Sequence, residues 1–484
     1  MQANGKTVIY NFLWRFGERI TAQFITFFVS IILARIIAPS DYGAVAIIIV
    51  VINLANVIVN NGFATALIQK KDADDIDFSS VFYFTLCFSL LIYILLYIVA
   101  PLISDWYSLP ILAPTLRVLG LRIIIGAVNS VQQSYVSRHM MFKKFFWSTL
   151  GGTIASAIIG IILAYSGFGV WAIVMQYLIN TTVDTIVLWF TVKWRPKIVF
   201  SFLRLKELIG FGWKLLASAL LGTIYDDLRA LIIGKVYTTE DLAFYSKGSQ
   251  FPSLIMKNVN TSVTSVSFPI LSQLQDNYST LAQRNKRLVN LLTLIISPLL
   301  FGLAALAEPL VSLILTDKWL PCVIYIRLWC IFYLISSLYT TYLQSFKAIG
   351  KSGLSLTMEL IDDIIGIILV IQFFRIGVVA ISIVTITSRA IAMIVSMAVY
   401  SKIFHVKLID QVKDISKPIT ISVCMSIAVF FAGKLPFNCF LLLAVQVFVG
   451  LIFYCIVCFM FKLPEFMYLL NLLKVSFANK IPKG

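Results

Sequence analysis

The sequence predicts an all-α polytopic membrane protein, with about fourteen transmembrane helices in two six-helix lobes of parallel repeat plus two C-terminal helices. Three observations carry this reading. Apolar residues make up 60% of the 484 and charged residues only 13%, with a mean hydropathy of +0.93; a water-soluble chain of this length needs far more polar surface. Apolar runs of roughly 20 residues or more, enough to cross the hydrocarbon layer, recur from end to end. Short motifs also recur about two hundred residues apart, as a duplicated half would make them.

Taken in order, the apolar runs predict spans over 10–38, 43–68, 79–101, 111–137, 145–166 and 168–192. They continue over 207–234, 243–273, 288–316, 320–346, 354–374 and 377–401, and end with 415–433 and 437–461. The corner between the first two reads "LARIIAPSDYGAVAII", Leu33 to Ile48. There Pro39 is placed to stop the first helix, Ser40 to cap the second and Asp41 to meet its positive N-terminal end. "IGKVYTTEDLAFYS", Ile233 to Ser246, repeats it with Lys235 under Arg35, Asp241 under Asp41 and Ala243 under Gly43; Thr239, Glu240 and Asp241 supply the second cap.

"AIIGIIL" at 157–163 is echoed by "DIIGIIL" at 363–369, and "GVWAI" at 169–173 by "GVVAI" at 377–381. Six spans separate equivalent segments, an even number, so both halves enter the membrane in the same direction. The expected domains are an N-terminal six-helix lobe over 1–200, a second over 201–403, and two further transmembrane helices with a cytoplasmic tail over 404–484. The opening "MQANGKTVIYNFLWRFGERI" lacks a short apolar core followed by a small-residue cleavage site, so the first helix is expected to be retained.

The net charge is +17, but the basic residues are scattered over short loops, which argues against nucleic acid as a partner. They sort instead by side of the membrane. With the first end inside, the inner loops receive "QKKDADDID" (69–77), "RHMMFKK" (138–144), "KWRPK" (193–197), "RNKR" (284–287) and the segment Lys402 to Lys417. Outer loops hold little more than Arg35, Lys235, Lys318, Arg375 and Lys434. Roughly two dozen bases against about five is a strong positive-inside bias, and it predicts that both termini are cytoplasmic.

Little catalytic chemistry is present. The seven cysteines lie in or beside apolar runs, and Cys455-x-x-Cys458 has neither a second pair nor nearby histidines, so they read as packing residues. His139 and His405 stand far apart in loops, and no Walker-type glycine loop, GxSxG elbow or HExxH occurs. No catalytic residue, metal or cofactor is expected. A membrane-embedded glycosyltransferase or polymerase, using an outer carboxylate such as Asp105, would need a roomier loop than the one at about 102–111.

Charge inside a bilayer is costly, so each such residue asks for a partner, a hydrated cavity or a role. The candidate cationic set is Arg15 and Arg19 on the first span, Arg122 on the fourth, Lys214 and Arg229 on the seventh, Lys247 and Lys257 on the eighth, and Arg389 on the twelfth. Polar companions for cavity lining or ion coupling are Glu18, Asn56, Asn60, Asn129 with Gln132 or Gln133, and Asp226. Gln176, Asn180 and Asp184 follow at i, i+4 and i+8, sharing one helix face, and Glu359, Asp362 and Asp363 mark the eleventh span.

A plainer alternative is interhelical packing, each bond adding about 1 kcal/mol or less. Asp226 and Arg229 can neutralise each other at i, i+3, and Arg15 and Arg19 can snorkel from near a helix end. As a set, the residues predict a hydrated central cavity with positive excess. Such a cavity favours an anion, and arginine in low dielectric binds phosphate with two parallel hydrogen bonds, so a phosphate-bearing amphiphile is the expected substrate.

"LARIIAPSDYGAVAI" resembles the signature of bacterial polysaccharide flippases, the Wzx-type and teichuronic-acid-exporter-like group of the multidrug/oligosaccharidyl-lipid/polysaccharide (MOP) superfamily. "NGFATALIQKKD" (61–72) and "GFGVWAIV" (167–174) extend the resemblance, which runs along most of the chain. It implies MATE-like lobes, alternating access, and transport rather than catalysis. The implied cargo is an undecaprenyl-diphosphate-linked oligosaccharide, moved from the inner to the outer leaflet of the bacterial cell (inner) membrane for lipopolysaccharide or exopolysaccharide export. Partners would be that polyprenyl-diphosphate carrier, membrane lipids and polysaccharide assembly proteins. The resemblance supplies no substrate motif to carry over residue by residue. The internal pseudo-twofold favours a monomer. Competing readings are a cation-coupled drug or small-molecule exporter of the same superfamily, whose cavity would be mainly acidic, and a scaffold that transports nothing.

Overall fold

The computed structural model describes residues 5–60, 63–70, 72–436 and 438–478. All regular structure among them is helical, in two compact units, Met1–Ala243 and Phe244–Gly484.

The first unit holds α1 (Gly5–Ile36), α2 (Pro39–Asn60), α3 (Phe63–Gln69), α4 (Asp75–Tyr107), α5 (Leu112–Arg138), α6 (Phe142–Tyr165), α7 (Val170–Thr191), α8 (Phe202–Val236) and the first turn of α9 (Thr239–Ser272). Helix α6 packs on α1 and α7, α5 on α4 and α7, and α2 on α5 and α8. Small residues allow the closest of these approaches. A methyl group at Gly152 would stand 2.7 Å from the carbonyl oxygen of Asn180, and one at Gly160 would stand 3.1 Å from Gln176.

The second unit continues α9 and adds α10 (Tyr278–Ile314), a 3₁₀ turn (Asp317–Cys322), α11 (Val323–Ala348), α12 (Ser352–Phe373), α13 (Val378–Phe404), α14 (Leu408–Ala432), α15 (Cys439–Met460) and α16 (Pro464–Ala478). Helix α10 packs on α11, α14 and α15, while α13 bridges α11 and α12. Leucines, isoleucines and phenylalanines cover the outer helix faces, and serines, threonines and asparagines are buried between them. A hydrocarbon solvent selects this arrangement.

Among the described residues, eleven helical stretches are long and apolar enough to cross a membrane. The chain is a multi-pass membrane protein. Helices also occupy the other predicted spans, as α8, α9 and α12, which carry Asp226, Lys247 and Asp362.

Three local expectations change. Pro39 opens α2 rather than only ending α1, because its missing N–H costs nothing in a first turn, and this places Ser40 inside the helix. At the second corner the cap is Thr238, one residue early: its Oγ1 accepts from the amide of Asp241 at 3.1 Å, while Asp241 Oδ2 accepts from the amide of Thr238 at 3.3 Å. Part of the expected tail forms α16, whose Pro464 and Glu465 suit a helix start.

The segment 192–201 joins α7 to α8 as a strap without helix. Trp194 Nε1 donates to Asp75 Oδ1 at 3.1 Å, and the amides of Lys197 and Ser201 donate to Ser79 Oγ at 3.0 Å and Ser80 Oγ at 2.9 Å. Ion pairs reinforce it: Lys197 with Asp75 at 2.6 Å and, from the start of α8, Arg204 with Asp74 at 2.6 Å. Asp74 also caps α4, accepting from the amides of Ile76 and Asp77.

The Arg204 hydrogen bond is the main cause holding the Asp74 carboxyl below the ordinary aspartate value of 3.8, helped by the backbone donors. A depressed acid contributes stability above its unfolded value and loses it as pH falls through the folded one. Asp74→Asn is therefore expected to lower the melting temperature at neutral pH, slightly because the pair is exposed and screened, with the gap closing below pH 3.8. Thermal melts of both proteins across pH check it; a constant gap would refute it.

Candidate functional site

Within the first unit, the predicted polar residues meet on α1, α5, α6 and α7. Arg122 Nε donates to Thr181 Oγ1 at 2.9 Å, and its guanidinium lies 5.5 Å from the centre of the Tyr177 ring. Further along the same pair of helices, Asn129 Nδ2 donates to Asp184 Oδ2 at 2.6 Å. Asn180 Nδ2 reaches Ser156 Oγ at 3.3 Å, and Gln176 lies against Gly160. Arg15 pairs with Glu18 at 2.6 Å and lies 4.8 Å from the Phe145 ring centre, while Thr149 Oγ1 donates to the other Glu18 oxygen at 3.2 Å.

Other candidates fall elsewhere. Arg19 is exposed. Asn60 donates to Asn56 at 3.5 Å, and both face Gly126. Of the two glutamines on α5, Gln132 is buried and donates to the Trp194 carbonyl at 3.2 Å, whereas Gln133 is exposed. Arg229 is buried under the Tyr225 ring, 3.9 Å from a largely exposed Asp226 carboxylate. The side chains of Lys214 and Lys257 lie outside those described.

In the second unit, Arg389 pairs with Asp362 at 2.9 Å, with side-chain exposures of 19% and 2%. The rings of Phe332 and Tyr339 stand 5.3 and 5.1 Å from its guanidinium. Glu359 pairs with Lys347 at 3.4 Å, and Asp363 is half-buried. Lys247 is buried 5.8 Å from the Trp319 ring centre.

Arg122 differs from Arg15, Arg229 and Arg389. Among the described residues, it has no carboxylate partner, only a hydroxyl and an aromatic face. A guanidinium held this way inside a span keeps its charge available for an anion. The hydroxyl and aromatic partners Tyr177, Thr181, Thr149 and Tyr339 were not singled out in the sequence. For α7 the signal was a second stripe, Tyr177, Thr181 and Thr185, at the same four-residue spacing as Gln176, Asn180 and Asp184.

At the opposite end of the first unit from the strap, the duplicated corners touch. Gly43 lies so close to Thr239 that any Cβ would overlap its backbone carbonyl, and Gly234 faces Ile47. Tyr107 donates to the Leu231 carbonyl at 3.2 Å, and Lys235 donates to that of Trp106. The ends of α2, α4 and α8 are thereby held together.

The polysaccharide biosynthesis protein family matches residues 32–324, the stretch that contains both corners and the Arg122 cluster. The chain belongs to this family. The succinoglycan biosynthesis transport protein ExoT of Rhizobium meliloti (strain 1021) is 28% identical over 318 residues, 65% of this chain and 64% of that one. The teichuronic acid biosynthesis protein TuaB of Bacillus subtilis (strain 168) is 26% identical over 279 residues, 56% of each chain. The lipopolysaccharide biosynthesis protein WzxC of Escherichia coli (strain K12) is 21% identical over 308 residues, 63% of each. The matches thus span less than two thirds of these relatives' lengths.

Among solved structures, the lipid II flippase MurJ in an inward closed conformation is similar with a TM-score of 0.78 at 17% identity, over 93% of this chain and 99% of that one. An inward-facing multidrug resistance MATE family transporter of the MOP superfamily gives 0.61 at 16%, over 79% and 94%. The fold of this polysaccharide biosynthesis family member is therefore that of the MOP transporters.

Proposed function

We propose that the protein is a flippase that carries an undecaprenyl-diphosphate-linked oligosaccharide from the inner to the outer leaflet by alternating access. The observation that carries this is Arg122, a guanidinium within an apolar span whose partners are the neutral Thr181 and Tyr177. A diphosphate supplies the charge-assisted hydrogen bonds that those partners leave open. The names of the relatives, which speak of polysaccharide transport and biosynthesis, support the same cargo.

In this reading the chain makes fourteen spans, with lobes over 1–200 and 201–403, two further helices within 404–484, and both termini in the cytoplasm. It works in the inner membrane as a monomer, supplying polysaccharide assembly proteins on the far side. The cavity opens inward, and Arg122, with Lys214, Lys247 and Lys257, draws in the diphosphate and acidic sugars. The lipid tail stays in the bilayer. Arg15, Arg229 and Arg389 spend their charge on Glu18, Asp226 and Asp362 and shape the walls. Separation of the two corners then releases the headgroup outside.

The test is movement of lipid-linked oligosaccharide across sealed vesicles containing the intact chain. Arg122→Ala is expected to slow it about 10- to 100-fold, the worth of a charge-assisted hydrogen bond at roughly 1.5–3 kcal/mol, without lowering protein yield. Arg122→Lys should recover part of the rate, since the charge survives and the fork does not. Unchanged movement in Arg122→Ala would refute this assignment. If the intact chain moves no lipid-linked glycan but exports cationic drugs, the alternative exporter reading replaces it.

A further inference from the structure

The basic run "RNKR" at 284–287 explains orientation in the sequence, yet the fold also builds it into a cavity. Near their starts, α10 and α16 enclose about 470 Å³, lined by Arg284, Lys286, Arg287, Asn290, Glu465 and Tyr468 among others. Lys286 is engaged by Asp414 at 2.9 Å. Arg284 and Arg287 have no carboxylate partner among the described residues, and Arg287 lies 4.1 Å from the Tyr468 ring centre. Asn290 is only 8% exposed; its Nδ2 donates to Glu465 Oε1 at 2.9 Å, and its Oδ1 is buried without a partner. The carboxylate fixes that amide orientation, since only the NH₂ side can donate to it.

The site therefore offers two guanidinium forks beside two acceptors, Asn290 Oδ1 and the Glu465 carboxylate. With Lys286 and Asp414 cancelling, Arg284 and Arg287 against Glu465 leave one net positive charge. A phosphodiester carries one negative charge, and a hydroxylated substituent on it brings the donors that the acceptors need. Apolar surface continues from the cavity: the exposed Ile295 and Leu299 stand about three and four turns along α10 from Arg284, on nearly the same face. The Lys/Arg asymmetry assigns this end of α10 to the cytoplasm, where anionic leaflet lipids meet basic pockets between helices.

The geometry points to a binding site for an anionic glycerophospholipid with a hydroxyl-bearing headgroup. Its phosphodiester lies on Arg284 and Arg287, its hydroxyls donate to Asn290 and Glu465, and an acyl chain follows Ile295 and Leu299. A free glycerol phosphate shares the headgroup chemistry; the exposed aliphatic track favours the lipid. The site is independent of the cargo assigned above.

The test is native mass spectrometry of the full chain in detergent with phosphatidylglycerol, phosphatidylcholine and phosphatidic acid of matched tails. The intact chain is expected to retain one phosphatidylglycerol about tenfold better than either of the others. Joint Arg284→Gln and Arg287→Gln should erase the preference over phosphatidylcholine while leaving the lipid-free melting temperature unchanged. Asn290→Leu, a separate variant should the double one misfold, should erase the preference over phosphatidic acid, which lacks the hydroxyls. Equal retention of the lipids by the intact chain, or undiminished preferences in folded variants, would overturn the site. Displacement of the lipid by millimolar glycerol phosphate would overturn the lipid and assign the pocket to a soluble phosphate ester.

Discussion

Gly43→Ala is expected to force the α2 corner away from the α9 corner. The added methyl group would overlap the carbonyl oxygen, carbonyl carbon and Cα of Thr239, all backbone atoms that no rotamer change can move aside. Overpacking of this kind costs about 1–3 kcal/mol, which the chain avoids by parting the helix ends. An equilibrium shifted by that amount changes open-state population about 5- to 150-fold. Ile47 reports on it, because it is fully buried and packs on Gly234 across the same contact. A thiol at Ile47→Cys should react with a water-soluble maleimide at least about fivefold faster when Gly43→Ala is present. Gly353→Ala serves as the control, since a Cβ there meets nothing within 4 Å. An unchanged Ile47→Cys rate would mean that the corner yields without opening.

The second large effect is expected at the Arg389–Asp362 pair. Asp362→Asn leaves a guanidinium between α12 and α13 without its counter-charge, and breaking a buried pair from one side costs about 3–5 kcal/mol. Arg389→Met should cost a similar amount, since it takes the guanidinium away from a carboxylate whose side chain is only 2% exposed. Joint Asp362→Leu and Arg389→Met removes both charges and should recover most of the loss, because a well-packed apolar pair is often as stable as a buried ionic one. Chemical unfolding in detergent measures the cycle. Additive single losses would refute the pairing, whereas strong coupling with retained transport in the double variant would make Arg389 a wall residue rather than a cargo ligand.

Hydrophobic run length and turn punctuation made the helices legible: the "PSDYG" and "TTEDLA" corners stand where α2 and α9 begin, four residues before the spans expected from 43 and 243. The added α16 was harder to see, since a helix of 15 residues is too short to stand out in a hydropathy window. Individual charges were legible too, because an ionisable residue among aliphatic neighbours stands out in any sequence. Their partners were not. Arg389 and Asp362 lie 27 positions apart, Arg122 and Thr181 lie 59 apart, and only helix packing brings either pair together. Gln132 and Gln133 show the same limit within one helix: adjacent glutamines point about 100° apart, and packing against the strap decided which was buried.

The strap over 192–201 has a consequence for how the protein is made. Its side-chain anchors, Asp75, Ser79, Ser80 and Gln132, all precede it in the chain. During synthesis, which proceeds from the N-terminus, those anchors are already in place when the strap leaves the ribosome. The first unit can therefore tie off its own exit, and fix where α8 starts, before Phe244–Gly484 has been translated. Weakening the strap is a defect of assembly order, and it would show first as protein lost during insertion, with the copies that mature behaving normally.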